Sequence, residues 1–318
     1  MTKSLQLNNG ASMPCIAIGS WVGTSPNSKE LARASSWLST ALEAGYRHID
    51  TAALYGTEGA VGEAVRRSGI PRKDLFITTK LPFHHTKRVR ESLDRSLKRA
   101  GLDYFDLYLV HWPQVVVYKN NQPVPLNADG SMMLDETSDF NDTWKEMEKV
   151  LASGKVKSIG VSNFSIKTLE QLLKTATVTP AVLQVELHPY LAQHELLRWC
   201  KDKGIMVVAY AATGYAVVRE DPIIVALAKK YNVTPTQVVL SWHIGRGTGV
   251  VAKSENASRQ EENLTVIELH EEDARRIDAL DKNRRLCIQP DKQGKVFGWT
   301  FDRLGWQEES VLQAEAKL

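Results

Sequence analysis

The chain is short of cysteine, of net charge and of long apolar runs, and each shortage removes a class of protein. Cys15, Cys200 and Cys287 are three in number and far apart, so they cannot build a disulfide framework. No Cys-x-x-Cys or histidine-rich spacing suggests zinc, and no metal is expected. Reduced thiols in a cytoplasmic setting follow. A formal net charge of +3, with no basic run, argues against nucleic acid or a membrane surface as partner. No stretch approaches the length of a bilayer span, and Met1 to Gly10 lacks the apolar core of a secretory signal. The last residues, Ala316-Lys317-Leu318, are of the Ser-Lys-Leu type that addresses proteins to peroxisomes, which makes import there the alternative to a cytoplasmic location. Several signatures are missing too. No Gly-x-Gly-x-x-Gly turn follows the first strand, which leaves a Rossmann site unsupported, and there is no P-loop, Gly-x-Ser-x-Gly elbow or His-Glu-x-x-His.

What is present is a regular alternation. The 318 residues are 43% hydrophobic and 24% charged, and α/β barrels hold that length in one domain. Leu5 to Pro14, with Asn9-Gly10 at its centre, predicts an N-terminal β-hairpin over residues 1–14. Eight short, nearly all-apolar segments follow, beginning near residues 15, 47, 75, 105, 156, 182, 205 and 249. Each is succeeded by apolar residues at helical spacing, such as Leu31, Ala34, Leu38 and Leu42. Strands buried on both faces and separated by amphipathic helices make a parallel sheet. Eight units favour a single closed (β/α)8 barrel over 1–318, with an open doubly wound sheet as the alternative. Two segments fall outside the alternation: 113–139, rich in Asn, Pro, Asp and Gly, and the tail 284–318. Both are expected to line a pocket, the first because long irregular insertions in compact domains are usually functional or disordered.

Barrel sites lie at the C-terminal ends of the strands. That rule selects Trp21, Asp50, Lys80, His111, Ser162-Asn163, Gln184, Tyr210 and Lys253, with Tyr55 on the loop five residues beyond Asp50. Singly, each has a dull explanation: a turn aspartate, a loop aromatic, a solvated lysine, a satisfied core histidine. Together they have a chemistry. A phenol with a pKa of about 10 is a weak acid at neutral pH, and an adjacent Lys80 ammonium is expected to lower it. Asp50 would hold that ammonium charged, and His111 would orient a substrate oxygen. Such a group suits proton delivery to a carbonyl accepting a hydride.

At this point the sequence closely resembles the aldo-keto reductases. The motifs are Gly45-Tyr46-Arg47-His48-Ile49-Asp50-Thr51-Ala52 with Tyr55-Gly56, Leu109-Val110-His111-Trp112-Pro113, Gly154-Lys155-Val156 with Ile159-Gly160-Val161-Ser162-Asn163-Phe164, Gln184-Val185-Glu186 with His188-Pro189, and Lys253-Ser254 with Arg259 and Glu262-Asn263. They run in the family's order from about Leu5 to Trp306 and look most like its fungal aldehyde reductase and glycerol dehydrogenase branch. The resemblance implies a barrel that binds NADPH in an extended form and reduces aldehydes or ketones. It makes Tyr55 the general acid, with Asp50 and Lys80 tuning it and His111 orienting the carbonyl. It assigns Ser162, Asn163 and Gln184 to the nicotinamide carboxamide and Tyr210 to its ring. Lys253, Ser254 and Arg259 go to the adenosine 2′-phosphate, and Glu262 and Asn263 to the adenine end. Two cations and a hydroxyl near a helix start suit a phosphate on physical grounds as well.

The chain departs from the family in two places. Where relatives often carry Ser-Pro-Leu-Gly-Ser after Tyr210, it has Ala211-Ala212-Thr213-Gly214-Tyr215, and Ala252 replaces the usual proline before Lys253. The loss of a hydroxyl and a proline predicts a looser hold on the middle of the cofactor. Trp21, Val22, Leu54, Trp112 and Trp299, with Phe297 beside the last, are expected to wall the pocket for a small carbonyl compound. A monomer or weak dimer is expected. A cofactor-binding regulatory subunit on the same barrel, with little turnover, is the competing function; a barrel isomerase or aldolase needs no NADPH.

Overall fold

The computed structural model describes residues 3–23, 27–119, 122 and 124–307. Eight parallel strands form a closed barrel: β1 (Ile16–Gly19), β2 (His48–Asp50), β3 (Phe76–Leu81), β4 (Phe105–Val110), β5 (Val156–Ser162), β6 (Val182–Glu186), β7 (Met206–Tyr210) and β8 (Gly249–Ala252). Neighbours in sequence are neighbours in space, and β8 pairs with both β7 and β1, Val250 lying opposite Ala209 on one side and Ile16 on the other. Closure removes the sheet edges that an open sheet would have to protect. Helices separate the strands, so each strand is covered on its outer face as well as filled within.

The helices begin and end where capping chemistry allows. Asn27 and Glu30 form a reciprocal capping box at the start of helix Ser28–Ala44, and Gly45 ends it with φ 114, a left-handed conformation that turns the chain into β2. Gly62 has a different reason to be glycine. A Cβ there would lie 1.6 Å from the Ala100 carbonyl oxygen, so helix Glu58–Arg67 can sit against the end of helix Val89–Ala100 only without a side chain at that position.

The hairpin pairs Ser4–Gln6 with Ser12–Pro14 and plugs one end of the barrel. Leu7 and Met13 pack there against Phe76, Leu107, Val182 and Val208. His48 stitches this plug to the barrel, its Nδ1 3.0 Å from the Pro14 carbonyl and its Nε2 2.9 Å from the Thr78 hydroxyl. With the N-terminal end sealed, the opposite mouth is where a ligand can approach.

Both irregular segments carry more order than their composition suggested. The 113–139 segment folds back on itself through Val117 N to Met133 O and Asp135 N to Val115 O, each 2.9 Å. The tail contains a strand pair, Lys295–Val296 with Trp299–Thr300, and a short helix, Phe301–Leu304. Gln114 Nε2 donates to Val296 O at 2.9 Å and ties the two segments together. No helix among the described residues is long and apolar enough to cross a membrane, and Ala316-Lys317-Leu318 lies outside those residues.

Candidate active site

Asp50 ends β2, Lys80 lies one residue from the end of β3, and His111 follows β4. In a parallel barrel these three ends share one rim, and the short 3₁₀ turn Ala53–Tyr55 carries Tyr55 back over it. Lys80 Nζ donates to Asp50 Oδ1 at 2.5 Å and to the Thr51 carbonyl at 3.0 Å. The same ammonium lies 5.3 Å from the centre of the Tyr55 ring. The Tyr55 and His111 rings meet edge to face with centroids 5.7 Å apart. The three residues chosen from strand ends and Tyr55 from the loop therefore occupy one cluster.

Their electrostatics differ from the expectation in one respect. Burial raises the Tyr55 phenol above its ordinary value, and the negative charge of Asp50 adds to the rise. Lys80 does not lower it: burial depresses the lysine itself, and the ammonium is committed to Asp50, which pulls its pKa back up. Tyr55 is consequently a firmly protonated phenol with a cation at its ring. His111 is pushed well below the usual histidine range, first by burial and then by Lys80, so it is neutral at pH 7. Its Nδ1 is buried with no hydrogen-bond partner among the described residues.

The residues expected at a nicotinamide join this cluster. Gln184 Nε2 donates to the second Asp50 oxygen at 2.7 Å. Asn163, in a left-handed conformation at φ 64, donates through Nδ2 to the His111 carbonyl at 2.9 Å and to Ser162 Oγ at 3.2 Å. The half-buried Tyr210 donates to Asn163 Oδ1 at 2.6 Å. One hydrogen-bonded chain thus runs from Lys80 through Asp50 to Gln184, and a second from Tyr210 through Asn163 to His111. Among the described residues, Gln184 Oε1 accepts no hydrogen bond and the Ser162 hydroxyl donates none.

The second set lies past the end of β8. Lys253 is exposed, pairs with Glu255 at 2.6 Å and covers the Trp37 ring at 5.6 Å. Ser254 is buried and accepts from Asn256 N at 3.2 Å. Arg259, exposed in the first turn of helix Ala257–Leu264, makes no ion pair among the described residues. Glu262 accepts from Ser258, and Asn263 is buried. No group of three His, Cys, Asp or Glu that could hold a metal occurs among the described residues.

The expected walls are only partly in place. Trp112 is buried, Val22 and Leu54 are half-buried against the core, and Trp21 is 49% exposed beyond the end of β1. Trp299 needs correction. It packs toward Phe140 and under the Arg303 guanidinium, and lines a separate cleft of about 580 Å³ together with residues 134–140, Asp142 and Lys167. The aromatic that meets Trp112 is Phe297, with ring centroids 4.7 Å apart. Between the paired strands Lys295–Val296 and Trp299–Thr300 the chain reverses, and the two rings diverge.

Three contributors went unassigned from sequence. Glu186, fully buried at the end of β6, accepts the Leu286 and Cys287 main-chain N–H groups at 2.5 and 2.8 Å and faces His188 Nε2 at 3.1 Å. It thereby hangs the tail on the barrel. Cys287 is close enough to act on the titration of Tyr55, Tyr210 and Tyr215. Arg285 is buried with its guanidinium 3.6 Å over the Trp306 ring. Glu186 sits two residues beyond Gln184 on the same strand face and within the Gln184-Val185-Glu186 motif, and those were its signals.

A tyrosine, a lysine–aspartate pair and a neutral histidine at the rim of a (β/α)8 barrel have known counterparts. The sequence pattern of the aldo/keto reductase family matches residues 15–282. The chain is 46% identical over 295 residues to glycerol 2-dehydrogenase (NADP(+)) of Saccharomyces cerevisiae, covering 89% of this chain and 92% of that one. Aldehyde reductase YPR1 of the same yeast is 42% identical, with 88% and 91% covered. Among solved structures, the aldose reductase of Schistosoma japonicum superimposes with a TM-score of 0.83 at 33% identity, over 98% of this chain and 99% of that one. The chain belongs to the aldo-keto reductase family.

Proposed function

We propose that the protein reduces an aldehyde or ketone to the alcohol with NADPH, Tyr55 serving as proton donor. The observation that carries this reading is the convergence of Tyr55, Lys80, Asp50 and His111 on one rim. When bound, the reduced nicotinamide supplies the hydride. The donor set suits such a group at both ends. Ser162 has a hydroxyl proton to give and Gln184 Oε1 can accept, which matches the two halves of a carboxamide, and the half-buried Tyr210 ring offers a face. Lys253, Ser254 and Arg259 supply charge and a hydroxyl for a phosphate, with Glu262 and Asn263 at the adenine end. The name of the yeast NADP(+) enzyme supports the phosphate-bearing form of the cofactor.

A phenol held protonated by burial is a poor acid toward water and a ready one toward an alkoxide, a far stronger base than phenolate. As the carbonyl oxygen gains charge, the Tyr55 proton moves to it. The tyrosinate left behind then benefits from Lys80, which contributes at the moment of transfer rather than by softening the phenol beforehand. Neutral His111 donates a hydrogen bond to the same oxygen and fixes its direction. Phe297 and Trp112, with Trp21, Val22 and Leu54 nearer the opening, would wall a pocket for small or medium carbonyl compounds. The 113–139 segment and the tail belong to one barrel domain and close the pocket's side. A cytoplasmic location fits this chemistry.

The test is Tyr55→Phe. NADPH fluorescence titration should be nearly unchanged while turnover of an aldehyde panel falls at least a hundredfold, the scale of positioned acid–base catalysis. Equal turnover would discard the proton-donor role. Binding of NADPH without turnover of any carbonyl by the native chain would favour a regulatory subunit instead.

A further inference from the structure

We propose that Arg285 is the centre of an anion-binding subsite that takes a carboxylate or phosphate oxyanion. Arg285 is 8% exposed and lines a cavity of about 420 Å³ beside the candidate site, together with Asn163, Phe164, Glu186 and Trp306. Its guanidinium lies 3.6 Å over the Trp306 ring, which fixes the plane but leaves the fork of N–H donors unused. Among the described residues it makes no ion pair, and its side chain donates no hydrogen bond. Buried arginines are almost always paired, so an unpaired one at a cavity wall points to a partner that the protein does not itself provide.

The acids of the cavity do not fill that place. Glu186 Oε1 is taken by the Leu286 and Cys287 amides and by His188. Its other oxygen is buried without a partner and favours the charged guanidinium from a distance. Asp281 accepts from the Ala192 and Asn283 main chain, while Glu195 and Arg198 stand exposed at the rim with opposite charges. A planar oxyanion meets a guanidinium in two parallel hydrogen bonds, and Trp306 holds the fork ready for it. The oxyanion can reach the cavity on the carbonyl substrate itself or as a separate small molecule.

Two measurements on the full chain separate these sources. In the first, thermal melting is compared in sodium benzoate and in sodium chloride at equal ionic strength. Benzoate should raise the melting temperature of the wild type; Arg285→Met should lose most of that rise and Arg285→Lys should keep part. In the second, the KM for 4-formylbenzoate is compared with that for its methyl ester. If the substrate carries the anion, Arg285→Met raises KM for the acid about tenfold or more and leaves the ester within about twofold. A benzoate effect lost in Arg285→Met with an unchanged acid-to-ester ratio assigns the subsite to a separate anion. Equal benzoate shifts in wild type and Arg285→Met, with the ratio unmoved, overturn the proposal. Should Arg285→Met fail to fold, Arg285→Gln takes its place in both arms. The KM arm rests on the carbonyl-reductase reading and the melting arm does not, so absent turnover of the ester by the wild type would count against that reading alone.

Discussion

At the scale of single residues, the site is governed by the pair Lys80–Asp50, whose side chains are 1% and 4% exposed. Two charges taken from water are held by each other, by the Thr51 carbonyl and by Gln184. Such a pair adds little net stability, but removing one member strands the other. Lys80→Met should therefore lower unfolding free energy by about 3–5 kcal/mol, measured as a shift in the urea midpoint. A shift near zero would mean that Asp50 takes up a proton at little cost, and the charged pair would lose its place in the mechanism. Lys80→Met with Asp50→Asn should recover part of the loss, because no charge is then left buried.

At the scale of elements, the segment after β7 distinguishes this chain. Ala211 and Tyr215 adopt positive φ of 48 and 58 around Gly214 at 62. The chain then enters the short helix Tyr215–Arg219, with Tyr215 48% and Val217 43% exposed. Non-glycine residues in that conformation are strained, and the segment has neither the proline nor the serine hydroxyls of the family's usual loop. A strap strained at Ala211 and Tyr215, and lacking the proline that would stiffen it, is expected to release cofactor faster. Stopped-flow measurement should give an NADPH off-rate above that of a relative carrying Ser-Pro-Leu-Gly-Ser, and replacing 211–215 with that sequence should slow it. An off-rate no faster than the relative's would refute the argument.

At the scale of the whole molecule, acid should open the barrel through its interior histidines. Burial holds His48 down to about 4 and His243 down to about 3. Because both folded values lie below the unfolded value of about 6.5, the unfolded chain binds protons first as pH falls. The stability tied to each histidine is complete above pH 6.5 and is lost progressively below it. By pH 4.5 the loss should be roughly 2–3 kcal/mol per histidine. Urea midpoints between pH 7 and 4.5 should fall accordingly, and His48→Gln should flatten part of the slope. A midpoint constant over that range would mean that the two rings protonate as easily inside the barrel as outside.

The same scale explains what could be read from the sequence and what could not. Asp50, Lys80 and His111 were legible because a barrel turns position along the chain into position in space: the end of a strand is the rim. Tyr55 followed because it lies five residues from one of them. The direction of its proton affinity did not follow, since it depends on how tightly the phenol is enclosed. Glu186 with Leu286 and Cys287, or Trp112 with Phe297, meet across a hundred residues or more and leave no local periodicity. Trp299 and Phe297, two aromatics two residues apart in the tail, could not be told apart by residue type. Phe297 faces Trp112 because it takes φ 46 between Val296, fixed by Gln114, and Gly298, set against Leu134.

The grip of Glu186 on the tail has a consequence for how this enzyme's relatives can diverge. What the carboxylate holds is main chain, which every residue except proline provides alike. The side chains at 286 and 287 can therefore be exchanged without loss of these two hydrogen bonds, so that stretch of the tail is replaceable while the cluster behind it stays constant. New selectivities can accordingly arise by drift in a short peptide, with no step at which the catalytic frame has to be rebuilt.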